Sequence, residues 1–380
     1  MLELIVLKGT PYEIGFNHGL RLKNRISDCI DEYKKLIPLY SKKSWETCLA
    51  LALAYKDTIK NFSPDMILEM QGIADGSERS FNEILLLNVQ GEILFMYAAE
   101  KPTGYYGGCT SVAVVPECTQ TGHMLHGQNL DFEPGHEDLL VILEIHQENK
   151  PTVLTITEPG TIGKIGMNSK GIGLTSNALG TSGTPIGLPA IIVSRAILNA
   201  NNIAQAIGII AKHQCAFALS YTISNNDGEA VAVEVALEDY DVLYPEDGIC
   251  VHSNHYLSPL LMSIHHDILK RYCSSTHIRF GRAKRLFAGL KSKITVDDFK
   301  KLFTDHADYP ESICFHPNPA IPLKIAQLNT VCSVIMDTTK GEMHVSHGRP
   351  CEDGYDVFQL NIEPKSTHAQ KWHKERMEVN

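Results

Sequence analysis

From Cys109 onward the chain breaks into short apolar runs joined by links of only a few residues, and this spacing limits the fold more than any other feature. Cys109–Val115 and Met124–Asp131 flank a turn-rich piece containing Pro116 and Gly122. Leu139–His146, Thr152–Thr157, Thr161–Met167 and Gly173–Ser176 follow at close intervals. Runs of this length bounded by turn residues read as strands. Pro189–Asn199 and Ile203–His213 then read as two helices, and strands return at Ala218–Ser224, Ala230–Ala236 and Ile249–Ser253. A helical block covers about Leu260–Leu290 and Val296–Phe303, before strands near Thr330–Asp337 and Glu342–Ser346. Strands, then helices, then strands, with mostly hairpin-length links, point to an α+β layered sandwich rather than a βαβ parallel sheet.

Upstream the texture differs. Residues 1–108 read as mainly helical: Tyr12–Ile26 carries Ile14, Phe16, Leu20, Leu22 and Ile26 between polar positions, and Trp45–Lys60 and Ser80–Asn88 are similar. Lys101–Gly108 (KPTGYYGG) is a breaker-rich, bendable segment. The tail Glu363–Asn380 is charged and reads as a solvated helix or a frayed end.

Composition excludes several function classes. The net charge of −10 argues against a nucleic acid or an anionic membrane as the main partner. The longest apolar stretches, Leu49–Tyr55 and Ile84–Leu87, fall far short of the roughly 18 residues of a membrane span. Met1–Lys8 lacks a secretory pattern and Met377–Asn380 matches no organelle address, so a cytoplasmic location is expected. The ten cysteines show no CxxC pair or regular spacing and read as reduced, mostly buried thiols. No glycine-rich nucleotide loop is evident, and no cofactor is expected.

The Cys109 hairpin carries the chemistry. Gly107 and Gly108 let a strained or mobile peptide link stand directly before a strand that begins Cys-Thr-Ser. Pairing about a turn near Thr119–Gln120 puts either Leu130 or Asp131 across from Cys109, and a slip of one residue exchanges the two faces. If the Gly108–Cys109 bond is cut, the sulfur gains an α-amine beside it. An α-amine titrates near 7.7–8.0 and a thiol near 8.5, so nucleophile and base then share one residue. Taken alone, the same residues also suit a buried strand cysteine after a flexible loop.

Further segments turn that choice. GTPYEIGFNHG (Gly9–Gly19), QGIADGSERSFNEILLLN (Gln71–Asn88), GGCTS (Gly107–Ser111) and HGQNLDF (His126–Phe132) occur in order. EPGTIGKIGMNSKGIGLTSNAL (Glu158–Leu179), VHSNHY (Val251–Tyr256), DYPESIC (Asp308–Cys314) and HGRP (His347–Pro350) follow them. Over most of its length the chain resembles the acyl-coenzyme A:6-aminopenicillanic acid acyltransferase family of N-terminal-nucleophile enzymes. The resemblance implies a four-layer αββα sandwich and autoproteolysis of a single precursor before Cys109. Residues 1–108 and 109–380 would then be two associated chains forming one structural domain.

By the same resemblance Cys109 is both the self-cleavage nucleophile and the acyl acceptor, and Asp131 holds the new α-amine. Gln128 and Asn129 flank it and position the amine or substrate. The related choloylglycine hydrolases carry an arginine where this chain has Gln128, which argues against bile-salt hydrolysis. Asn254 is similar to the family's oxyanion donor, Asn177 to a second polar pocket residue, Arg279 to a supporting arginine and Ser312 to a serine near the substrate. Each of Asn177, Asn254 and Ser312 also suits a turn, and Arg279 a helix surface. The expected activity is hydrolysis of a small N-acyl amide through a Cys109 thioester, with transfer from an acyl-coenzyme A substrate as the alternative. The expected partners are that small molecule and the chain's own cleavage fragments.

Other readings make different demands. A metal site at His252, His255, His265 and His266 lacks a helical face and a completing ligand, so these read as loop histidines. A papain-like protease needs a distant histidine on the thiol and an unbroken chain. An inert binding scaffold on the same fold needs no reactive thiol at all.

Overall fold

The computed structural model describes residues 2–95, 108–320 apart from 182, 184, 272, 291 and 292, and 327–364. The breaker-rich segment at 101–107 and the tail from 365 onward, both singled out in the sequence, lie outside the described residues.

Among the described residues seven helices lead the chain after one strand, β1 (Leu4–Gly9). They are α1 (Pro11–Arg21), α2 (Lys23–Ser41), α3 (Trp45–Leu53), α4 (Lys56–Phe62), α5 (Pro64–Ser77), α6 (Phe81–Asn88) and α7 (Gln90–Phe95). Local chemistry starts two of them: Thr10 with Glu13 and Ser80 with Glu83 form reciprocal caps that satisfy the first free N–H groups of α1 and α6. α1 and α5 cross at backbone contact. A β-carbon on Gly15 would lie 1.9 Å from the Glu69 carbonyl oxygen, and one on Gly72 2.2 Å from that of Tyr12. These glycines sit in the first two sequence motifs, and only the missing side chain lets the helices meet so closely.

The strands follow as β2 (Gly108–Val114), β3 (Leu125–Phe132), β4 (Val141–Gln147), β5 (Val153–Thr157), β6 (Ile165–Asn168) and β7 (Gly173–Ala178). Helices α8 (Ala190–Leu198) and α9 (Ile203–Ala211) intervene before β8 (Leu219–Ser224), β9 (Ala230–Ala236), β10 (Asp239–Leu243) and β11 (Ile249–His252). Helices α10 (Pro259–Ile264), α11 (Ser275–Ala288) and α12 (Val296–Phe303) precede β12 (Asn329–Asp337), β13 (Glu342–Ser346) and β14 (Tyr355–Gln359).

Two sheets result. One runs β1-β4-β5-β6-β7-β8-β9-β10 and the other β11-β2-β3-β12-β13-β14. Pairing is antiparallel except where β1 lies parallel to β4. Ile142, Leu154, Ile156, Ile165 and Met167 of the first sheet pack against Cys109, Leu130, Cys332, Val334 and Met336 of the second. The N-terminal helices with α8 and α9 cover the first sheet's other face, and α11 and α12 cover the second's. The layers are helix, sheet, sheet, helix, as the resemblance implies. Among the described residues no helix is long and apolar enough to cross a membrane.

Several elements differ from the sequence reading. β1 was hidden because Leu4–Leu7 is short and its partner, β4, lies far along the chain. Tyr12–Ile26 divides at Leu22, and Trp45–Lys60 at Ala54–Tyr55. The block Leu260–Leu290 is broken where Asp267 turns the chain by accepting the N–H groups of Tyr256 and Lys270. Edge strands β10 and β14 carry acids (Asp239, Asp241 and Asp356) on half-exposed backbone, which weakens their alternation. All ten cysteines are free thiols and eight are buried.

Candidate active site

The β2–β3 hairpin settles the register left open by the sequence. Gly108 stands opposite Asp131 and Cys109 opposite Leu130, so Asp131 is not the cross-strand partner of the thiol. Strand alternation puts Cys109 and Leu130 in the core between the sheets, and Gly108 with Asp131 on the other face. That register brings the carboxylate to the upstream side of the Gly108–Cys109 link. A β-carbon on Gly108 would lie 2.6 Å from Asp131 Oδ2, so no larger residue fits without moving the acid.

Asp131 is held at one oxygen only. Thr330 Oγ1 donates to Oδ1 at 2.6 Å, while among the described residues Oδ2 is buried without a partner. Burial pushes the Asp131 carboxyl up to about 7, against the opposing pull of the Arg279 charge and the Thr330 hydroxyl. Burial, then the charge of Asp131, pushes the Cys109 thiol up to about 11, so it is protonated in the unbroken chain.

Arg279 and Asn254 grip the other side of the link. Arg279 Nη1 donates to the Cys109 carbonyl at 2.6 Å and to Thr110 Oγ1 at 3.0 Å; Nη2 donates to Asn254 Oδ1 at 2.8 Å. The same Asn254 oxygen accepts the Cys109 N–H at 2.9 Å, and its Nδ2 donates to the Ala178 carbonyl at 3.0 Å. The amide oxygen of Asn254, rather than its NH2, thus faces the Cys109 nitrogen.

The remaining expected residues divide. Gln128 clamps the backbone of Ser176 across the sheets, its Oε1 accepting at 3.0 Å and its Nε2 donating at 2.6 Å. Asn177 accepts the Ser111 hydroxyl at 2.5 Å, and its buried Nδ2 has no partner among the described residues. Asn129 points to the opposite face and donates to the carbonyls of Phe303 and Ile313. Ser312 donates to the Cys314 carbonyl at 2.6 Å within its own loop. Of the expected residues only Cys109 and Asp131 line the cavity; Gln128, Asn129, Asn177, Asn254, Arg279 and Ser312 do not.

That cavity, of about 120 Å³, opens beside Cys109 and Asp131. Its wall is mostly apolar, with Leu94, Phe95, Leu130, Phe132, Phe217 and Leu219. Sequence reasoning missed two charged groups in it, Glu92 and Lys164. Glu92 Oε1 accepts the Ala190 N–H at 2.7 Å, and burial pushes its carboxyl up to about 7. Lys164 is half-buried, which opposes its charge, yet Glu158 at 2.6 Å holds its ammonium above the ordinary value. Lys164 lies inside the quoted motif Glu158–Leu179, but only the fold reveals that it faces the cavity.

The histidines serve elsewhere. His252 bonds Glu234 and the Ser253 carbonyl, His255 meets Ser253 and Thr276, and His265 pairs with Asp239. Among the described residues no histidine bonds the Cys109 thiol, as a papain-like site would need.

The sequence profile of acyl-coenzyme A:6-aminopenicillanic acid acyl-transferase matches residues 118–351. The 40 kDa form of that acyltransferase from Emericella nidulans is 30% identical over 369 residues, 95% of this chain and 98% of that protein. The chain belongs to this acyltransferase family. A β-alanyl-dopamine/carcinine hydrolase from Drosophila melanogaster is 28% identical over 32% of each chain. A mutant conjugated bile acid hydrolase from Clostridium perfringens has TM-score 0.48 at 14% identity, covering 67% of this chain and 93% of that one. As a member of the penicillin acyltransferase family, this chain is an enzyme acting on amide-linked acyl groups.

Proposed function

We propose that the chain cuts itself at Gly108–Cys109 and then uses Cys109 to carry acyl groups off small N-acyl amides. The observation that carries this reading is the buried, unpartnered Oδ2 of Asp131 beside Gly108. A buried carboxylate oxygen without a donor is costly unless a cation arrives, and the α-amine freed by cleavage is that cation.

In the first step the Cys109 sulfur adds to the Gly108 carbonyl carbon. The C–N bond breaks as the thiol proton passes to the departing Cys109 nitrogen. Water then opens the thioester, leaving a Gly108 carboxylate, the free thiol and a new α-amine. Asp131 and the Asn254 oxygen, already 2.9 Å from this nitrogen, orient the amine. The ammonium in turn favours ionised Asp131 and lowers the thiol from its value in the unbroken chain.

In turnover the α-amine takes the thiol proton and the sulfur bonds to the substrate acyl carbon. The substrate amine leaves with that proton, and water releases the acid. The Asn254 amide has a second N–H beyond the one given to Ala178, and this donor meets the oxyanion, an interaction of about 2.7–4 kcal/mol in comparable sites. A compact apolar acyl group suits the cavity wall, with Lys164 and Glu92 placed to read polar substituents. The Emericella acyltransferase favours a second reading, transfer from an acyl-coenzyme A to an amine through the same thioester. The ratio of free acid to amide formed from an acyl thioester plus an amine separates the two.

Intact-mass measurement tests the proposal. Wild type is expected as chains 1–108 and 109–380, and Cys109→Ala as one full-length chain without turnover. A Cys109→Ala protein that still splits at this bond would remove the thiol from the reaction.

A further inference from the structure

A second cluster lies outside the cavity. His306 follows α12, Cys314 and His316 lie on the connection from α12 to β12, and Cys351 sits in the turn between β13 and β14. Their ligand atoms all fall within 4.8 Å of one another. We infer that these four side chains form a Cys2His2 zinc site that fastens the α12–β12 connection to the β13–β14 turn.

The distances fit one tetrahedral ion. Zn–S bonds of about 2.3 Å and Zn–N bonds of about 2.0–2.1 Å place tetrahedral S···S at about 3.8 Å, S···N at about 3.6 Å and N···N at about 3.3 Å. Here Cys314 Sγ lies 3.5 Å from Cys351 Sγ, and His306 Nε2 lies 3.0 Å from His316 Nε2. His316 Nε2 is 3.8 Å from Cys314 Sγ and 3.5 Å from Cys351 Sγ. Two thiolates with two imidazoles select zinc over calcium or magnesium, which take oxygen ligands. Each thiol gives up a proton on binding, so the filled site is neutral overall. Cys314 is buried, His316 and Cys351 are half-buried and His306 is exposed, which leaves the ion a path in from solvent.

The site also reaches Asp131. Phe315, between two of the ligands, donates its N–H to Thr330 Oγ1 at 2.8 Å and accepts the Thr330 N–H at 3.0 Å. A hydroxyl has one proton to give; with its oxygen taken by Phe315, Thr330 directs that proton to Asp131 Oδ1 at 2.6 Å. Zinc therefore holds the loop that aims the Thr330 hydroxyl. This coupling rests on the role proposed for Asp131; the metal site itself does not.

Zinc content separates the two. Wild type and Cys109→Ala, both carrying all 380 residues and each equilibrated with zinc and freed of excess, are expected to hold about one ion per 109–380 segment. Cobalt in its place is expected to give thiolate-to-metal absorption. Cys351→Ser and, as a milder change on an exposed residue, His306→Ala are expected to lose the ion and that absorption while keeping the far-ultraviolet circular dichroism of the parent. Metal-free wild type, or a Cys314–Cys351 disulfide seen as a mass short of two hydrogens with both sulfurs resisting alkylation, overturns the site. Retention of zinc in Cys351→Ser does the same. If zinc is present but chelation leaves the rate of self-cleavage unchanged, the link to Asp131 falls.

Discussion

Arg195 and Arg279 are both buried to within 1% exposure, yet their surroundings differ in kind. Arg195 Nη1 and Nη2 each lie 3.0 Å from a Glu69 oxygen, and the Ile162 carbonyl accepts from Nη1 as well. That charge is matched by a bidentate carboxylate, and the contact joins α8 to α5. Among the described residues Arg279 has no carboxylate bonded to it; its Nη groups donate to the Cys109 carbonyl, Thr110, the Asn254 oxygen and the Cys273 sulfur. The nearby acid, Asp131, keeps an oxygen free. A closed network of this sort stabilises, whereas an open one leaves a place for a charge that chemistry must supply.

If the contrast is real, the two arginines respond differently to substitution. Glu69→Gln should cost about 3–5 kcal/mol of stability by leaving Arg195 buried and unmatched. The protein that does fold should cut and turn over at nearly the wild-type rate. Urea unfolding set beside intact mass checks this, and a larger loss in cutting than in folding would erase the distinction.

Asp131 gives the next largest effect, through pH. Its carboxyl titrates near 7 in the folded, unbroken chain and near 3.8 when unfolded, so the folded state binds more protons between those values. Stability of unbroken Cys109→Ala should therefore be favoured at low pH and fall as pH rises from about 4 to about 7, by no more than about 4 kcal/mol from this group. Adding Asp131→Asn should flatten that slope. An unchanged slope in urea unfolding across this range would mean that the acid is not held unpaired.

Arg279→Met should be the smallest in energy and the most selective. Self-cleavage should slow by about 100-fold, equivalent to about 2.7 kcal/mol, with a lesser change in unfolding midpoint. Equal losses in both would make Arg279 a second Arg195.

The sequence disclosed these regions unevenly. The hairpin around Cys109 was legible because glycines, a strand start and an acid recur at short range, but residue types alone left Leu130 and Asp131 equivalent as partners. Pairing with β12, through Thr330 and Asn329, completes the sheet around the Asp131 end of β3. Lys164 and Glu92 were illegible because a charge in a cavity looks like any surface charge until its neighbours are folded around it. His306, Cys314, His316 and Cys351 lie on two separate loops with no spacing that a motif would reveal. Asn129 and Ser312 show the reverse: motif residues whose bonds fasten backbone rather than face the cavity.

β1 and Glu69 precede residue 108, whereas their partners β4 and Arg195 follow it. His18 likewise accepts the Gly160 N–H, and Asn88 bonds Gly160 and Ile162. Once severed, the protein would be a heterodimer whose melting includes dissociation, so its midpoint should drift with concentration and its reassembly should be second order. A precursor cut in this way would have a single first-order opportunity to fold. Afterwards the lifetime of the particle would be governed by how rarely the two polypeptides part.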